Sequence, residues 1–127
     1  MKIYTQSFII DYLKENIMKI YDSLKKAFED KDFDGLMKFY HSDYSFIRHQ
    51  TNTTMSLSEW FPMMKSMVES NKFEMISWKC IYENDDILVD HNVLSFPDGS
   101  KEAVLACHMK KDGKIISTET GATPLSN

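Results

Sequence analysis

The chain has 127 residues, 43% of them hydrophobic and 27% charged, with a formal net charge of -4 at pH 7. That size suits one domain over residues 1–127, with a core that needs neither disulfide nor metal; the acidic balance and scattered lysines argue against nucleic acid as a partner. No apolar run approaches the roughly 18 residues of a membrane span, and Asp11 breaks the short apolar patch after Tyr4-Thr5-Gln6-Ser7, so neither a membrane role nor a signal peptide is expected and the location is read as cytoplasmic.

From Phe8 to Phe28, Leu13, Ile17, Ile20, Leu24 and Phe28 recur at helical spacing, the stripe of an amphipathic helix. Asp32 can cap a short second helix from about Phe33 to Phe39, with Leu36, Phe39 and Tyr40 facing inward. Residues Tyr44 to His49 alternate as a strand, and Thr51 to Thr54 reads as a turn or short strand. A third helix runs from Ser58 to Ser70, capped by Ser56 or Ser58, with Pro62 in its first turn. It is rich in methionine and aromatic residues: Trp60, Met64, Met67 and Val68 form one face, suited to a core or to the wall of a greasy cavity.

Four strands follow: Phe73–Tyr82, Ile87–Phe96, Lys101–Lys110 and Lys114–Thr120. Asn84-Asp85-Asp86, Pro97-Asp98-Gly99-Ser100 and Lys111-Asp112-Gly113 separate them, each with turn chemistry. Helices followed by an antiparallel meander predict an α+β layer fold. Cys80 and Cys107 have neither CxxC nor metal-ligand spacing and read as reduced structural thiols.

The segment Asp32-Phe33-Asp34-Gly35-Leu36-Met37-Lys38-Phe39-Tyr40-His41-Ser42-Asp43-Tyr44-Ser45-Phe46, with Lys111-Asp112-Gly113-Lys114-Ile115-Ile116 near the end of the strand-like runs, resembles the NTF2-like (SnoaL-like) superfamily. The resemblance implies an α+β cone: N-terminal helices packed on a strongly curved antiparallel sheet enclosing one pocket, commonly a homodimer through the outer sheet face. Leu105, Cys107 and Met109 offer apolar area there. Ketosteroid isomerases are similar through the Asp-x-Asp-Gly helix, but their base and tyrosine positions fall here on Arg48 and Leu24, and their second aspartate on His108. SnoaL-type cyclases often carry His or Asp where this chain has Thr118 and Thr120. The isomerase base and tyrosine are missing, and the threonines depart from the cyclase pattern; scytalone-type dehydratases of the same superfamily work with pocket histidines, which keeps a histidine-based reaction open.

Turn geometry sets the expected register. A two-residue Asp98-Gly99 turn pairs Pro97 with Ser100 and puts His91 opposite Ala106. A three-residue Lys111-Asp112-Gly113 loop pairs Lys110 with Lys114 and puts His108 opposite Ile116. Pairing Tyr82 with Ile87 puts Trp78 opposite His91. Trp78, His91, His108 and Thr118 then share the pocket face, and Asp90 and Glu119 lie on the other. A two-residue turn at Gly113 would exchange Thr118 for Glu119.

His91 and His108 are the candidate catalytic pair, two imidazoles placed to act as base and acid; otherwise each is a partly buried histidine bonded to a backbone carbonyl or to Thr118. Arg48 points with Tyr44 and Phe46 toward the pocket mouth, where a guanidinium would hold a carboxylate or phosphate, or it pairs with Asp43 or Glu59 at the surface. Trp60, Trp78, Thr118 and Tyr40 complete the candidate ligand-binding set. No metal site is expected, because Asp90 and Glu119 lie away from the histidines, and no cofactor is expected. The reading is a cofactor-free isomerase, dehydratase, cyclase or hydrolase acting on a small hydrophobic, possibly anionic molecule. A non-catalytic small-ligand binder and a protein-association module are the alternatives.

Overall fold

The computed structural model describes residues 19–126, together with Gln6 and Ile9. Leu13 and Ile17 of the expected stripe lie outside the described residues. Helix α1 (Lys19–Glu29) buries Tyr21 and Leu24, with Ile20 and Phe28 packed beside them. It ends where Lys31 takes a left-handed conformation (φ 54°), so that Asp32 N–H reaches the Ala27 carbonyl at 2.8 Å and Lys31 N–H the Phe28 carbonyl at 3.1 Å.

The Asp-x-Asp-Gly motif then has a local cause. Asp32 caps α2 (Phe33–Met37) by accepting the Gly35 N–H at 3.0 Å, and a Cβ on Gly35 would collide with that carboxylate. Helix α3 (Leu57–Glu69) starts at Ser56, whose N–H and hydroxyl donate to the Glu59 carboxylate at 3.1 and 2.9 Å. Because α3 starts at Leu57, Pro62 lies in its second turn rather than its first and removes one helical hydrogen bond.

The strands are β1 (Tyr40–Arg48), β2 (Thr53–Ser56), β3 (Glu74–Glu83), β4 (Ile87–Ser95), β5 (Lys101–Lys111) and β6 (Lys114–Leu125). They form one open sheet in the order β2-β1-β6-β5-β4-β3. Every neighbouring pair is antiparallel except β1 with β6, which runs parallel, so the sheet is mixed. The helices cover its inner face, and the buried cluster joins Leu24, Leu36 and Trp60 to Tyr44, Leu88 and Ile115.

Register departs from expectation at both C-terminal hairpins. At the first, Phe96 N–H donates to the Ser100 carbonyl at 2.8 Å and Gly99 N–H to the Phe96 carbonyl at 2.9 Å, with Gly99 at φ 87°. Pro97-Asp98-Gly99 is therefore a three-residue loop. Pro97 has no amide hydrogen with which to close a two-residue turn against Ser100. The slip is one residue: Ala106 faces Asp90, and His91 faces Leu105 and Lys79. His91 thus moves to the outer sheet face, and Asp90 and Asn92 turn inward.

At the second hairpin, Asp112 and Gly113 both have positive φ (54° and 74°) and form a two-residue turn that pairs Lys111 with Lys114. Ile116 then bulges between the Lys110–Ile115 and Met109–Ser117 pairs. The bulge restores the face, so His108 lies opposite Thr118 rather than Ile116, and Thr118 stays inside while Glu119 stays out. The β3–β4 pairing departs too: Tyr82 faces Val89 rather than Ile87, and with irregularities at Ile76 and Ile81 Trp78 lies opposite Asn92 rather than His91, and Cys80 opposite Asp90. Cys80 and Cys107 are free thiols.

A buried ion pair fastens α1 to this sheet. Lys110 Nζ lies 2.6 Å from Glu83 Oε2 and 2.7 Å from the Asn84 carbonyl, and Glu83 Oε1 accepts the Tyr21 N–H at 3.3 Å. Its side chains are 4% and 0% exposed, so losing one partner strands a charge. Lys110→Met is expected to cost about 3–5 kcal/mol in urea unfolding, and adding Glu83→Leu to return most of that loss.

Candidate functional site

Between helices α1, α2 and α3 and the inner sheet face lies a cavity of about 360 Å³. Tyr40, Arg48, Trp60, Trp78, His108 and Thr118, all singled out in the sequence, line it; His91 does not. Met63, Met64 and Met67 form part of its α3 wall, beside Leu36 and Phe33 from α2. The wall is largely apolar, as a small-molecule pocket requires.

A polar line crosses that apolar surface. Thr118 on β6 lies 2.7 Å from His108 Nδ1, His108 Nε2 lies 3.0 Å from Asp90 Oδ2, and Trp78 Nε1 donates to the same oxygen at 3.2 Å. A carboxylate only accepts, so the His108–Asp90 contact puts the ring proton on Nε2 and leaves Nδ1 to face the Thr118 hydroxyl. Asp90 is 2% exposed and His108 8%. Asp90 Oδ2 is thus held by two N–H donors, whereas Oδ1 is buried without a partner.

The Tyr44 hydroxyl is also buried and unpartnered. Burial raises it well above the ordinary tyrosine value; the neighbouring Thr118 hydroxyl offsets part of the rise without meeting hydrogen-bonding geometry, and the Asp90 charge adds to it. Tyr40, edge-on to Tyr44 at 4.9 Å, is likewise raised by burial. Both phenols therefore keep their protons, and the unpartnered Tyr44 hydroxyl is placed to donate.

Arg48 lies at the cavity mouth, but its charge is already answered. Nη2 donates to both oxygens of Glu102 at 2.9 Å and to Gln50 Oε1 at 2.9 Å. It pairs with neither Asp43 nor Glu59. Outside the cavity, His49 and Glu119 form an exposed pair at 2.6 Å. Among the described residues no cluster of three or more His, Cys, Asp or Glu side chains could hold a metal ion.

Sequence reasoning missed Asp90, Asn92 and Tyr44 as site residues. The missed signal for the first two was Pro97, whose lost N–H sets the hairpin. Tyr44 was visible as an inward aromatic, but nothing local marks its hydroxyl as unpaired.

No protein-family model matches the chain, and no curated protein matches its sequence. Solved structures do match. An NTF2-like protein of unknown function from Cytophaga hutchinsonii superposes with a TM-score of 0.66 at 15% identity, over 82% of this chain and 87% of that one. A protein of unknown function with a cystatin-like fold from Xanthomonas campestris gives 0.68 at 20% identity, over 84% and 89%. A provisionally assigned ketosteroid isomerase from Kribbella flavida gives 0.63 at 6% identity, over 86% and 78%. At such identities the likeness carries the fold alone, and the fold is the NTF2-like α+β cone.

The unpartnered phenol makes a stability prediction with two parts. Replacing Tyr44 by Phe removes an unsatisfied buried hydroxyl and is expected to raise stability at neutral pH by about 1 kcal/mol. A tyrosine raised by folding contributes fully below its ordinary value of 10.0, and that contribution falls as pH rises above it. Urea unfolding followed from pH 8 upward is expected to show an alkaline decline that Tyr44→Phe makes shallower.

Proposed function

We propose that this NTF2-like cone is a cofactor-free acid–base enzyme acting on a small, mostly apolar molecule, with Asp90 as the base. One observation carries the reading: in an apolar cavity, one oxygen of a buried carboxylate is held by His108 and Trp78 while the other has no partner. A fixed carboxylate with one free oxygen suits proton abstraction, whose contribution is typically about 10²–10⁴-fold.

In the reaction, a C–H or O–H of the substrate gives its proton to Asp90 Oδ1, and charge develops on a substrate oxygen. The Tyr44 hydroxyl, kept protonated by burial, donates to that oxygen, an interaction worth about 10²–10³-fold. Return of that proton from Asp90 to another atom gives isomerisation, and its delivery to a departing hydroxyl, which leaves as water, gives dehydration. His108 acts through Asp90, as a positioning residue, with Thr118 fixing its ring. His91, on the outer face, leaves the mechanism. The Arg48–Glu102 pair at the mouth favours a neutral substrate over an anionic one.

We further propose a homodimer across the outer sheet face, supported by exposed Leu105 and Met109 on β5 and exposed Ile76 and Ile81 on β3. No helix among the described residues is long and apolar enough to cross a membrane.

Two measurements test these readings. Proton–deuterium exchange at the methylene of α-hydroxyacetophenone, which carries both a carbonyl and a hydroxyl, followed by NMR, is expected to be accelerated by the protein and reduced at least about 100-fold by Asp90→Asn. Binding with exchange at the uncatalysed rate would leave a ligand-binding protein in place of an enzyme. In sedimentation equilibrium the protein is expected to be a dimer and Leu105→Glu a monomer; a monomeric wild type sinks the dimer.

A further inference from the structure

Among the described residues, four buried side-chain polar atoms lack a hydrogen-bond partner: the Tyr44 hydroxyl, Trp60 Nε1, Asp90 Oδ1 and Asn92 Oδ1. All four residues line the same cavity. Buried polar atoms are nearly always paired in folded proteins, so unpaired ones scattered through a core would be packing defects. Confined to the lining of one cavity, they mark positions that a ligand completes.

Their chemistry is sorted by wall. Asp90 and Asn92 are alternate residues on the inner face of β4, roughly 6–7 Å apart along the strand, and both present oxygen acceptors. Opposite them in the sheet order, Tyr44 belongs to β1, and Trp60 reaches down from α3 to put its ring centroid 5.3 Å from that of Tyr44. The indole N–H can only donate. The Tyr44 hydroxyl, held in its protonated form, donates beside it. The unpartnered acceptors therefore stand on β4 and the unpartnered donors on β1 and α3, with Val104 and Ala106 and the mutually bonded His108 and Thr118 between.

We infer that the cavity selects a bifunctional ligand: a small, mainly apolar molecule with a hydroxyl or N–H directed at Asp90 and Asn92, and a carbonyl-type oxygen directed at Tyr44 and Trp60. This rests on the cavity being the substrate site and adds the substrate's functional groups. A molecule lacking either group leaves a buried protein atom unsatisfied. Sites of this kind reject such analogues far more strongly than an apolar pocket rejects a missing methylene.

Calorimetric titration with four molecules of one shape tests it: para-hydroxyacetophenone, acetophenone, para-ethylphenol and ethylbenzene. The first carries both groups, the next two carry one each, and the last carries neither. Each group is expected to tighten Kd by about tenfold or more, giving the two-group probe at least about a 100-fold advantage over ethylbenzene. Asn92→Leu is expected to reduce the hydroxyl gain while keeping the carbonyl gain, and Trp60→Phe to do the reverse, because Asp90 and Tyr44 remain. The probe order in the wild type needs no variant, so a misfolded substitution does not spare the idea. It is overturned if ethylbenzene binds within threefold of para-hydroxyacetophenone, if both gains survive both substitutions undiminished, or if none of the four binds. Ordered binding, with α-hydroxyacetophenone bound but not exchanged, would reject the acid–base reading alone. Exchange without probe order would reject this inference alone.

Discussion

Pro97 has no amide hydrogen, so it cannot close a two-residue hairpin against Ser100, and β4 enters β5 one residue away from the step such a turn would impose. Side chains alternate along a strand, and that single step exchanges every residue of β4 between the two faces. Asp90 and Asn92 enter the cavity, and His91 leaves it. The inward placement of Asp90 and Asn92 is therefore a consequence of a loop that itself contains neither residue.

Once Asp90 is inside, a hydrogen-bonded line from Thr118 through His108 and Asp90 to Trp78 ties β6, β5, β4 and β3 together on the covered face. In a low-dielectric interior such a line holds its members rigidly, and its unsatisfied end is costly. The fold sustains that cost through features elsewhere. The Glu83–Lys110 pair fixes α1 to the sheet, and the Tyr21 hydroxyl donates to the Trp78 carbonyl at 2.9 Å. Tyr21 also packs edge-on against the Trp78 ring at 5.6 Å, so α1 steadies the indole that holds Asp90. Stability outside the cavity and incompleteness within it are two halves of one arrangement.

The fold was legible because its signals are local. Gly35 is needed beside the Asp32 cap, the α1 stripe repeats at helical spacing, and the α3 methionines announce an adaptable wall. The site was legible only in part because it depends on register, which two Gly-containing hairpins set in opposite ways. The three-residue loop belongs to Gly99 and the two-residue turn to Gly113, the reverse of the expectation. Pro97 carried enough information to settle the first. The second was masked by Ile116: with Ile115 and Ile116 both apolar, the pattern does not say which residue the bulge leaves out. His108, Trp78 and Thr118 were found because each remained on the inner face in spite of that error. Arg48 lines the cavity, but its buried partner Glu102, distant in sequence, could not be read from spacing.

The inward orientation of Asp90 is the claim on which the site stands, and NMR of the ¹⁵N-labelled protein addresses it directly. The account predicts a protected His108 Nε2–H resonance near neutral pH, with a nuclear Overhauser contact to the Trp78 indole N–H. Both groups donate to one oxygen of Asp90, at 3.0 and 3.2 Å. A protected imidazole proton on His91 that contacts Trp78, with none on His108, would contradict it and return β4 to the other register.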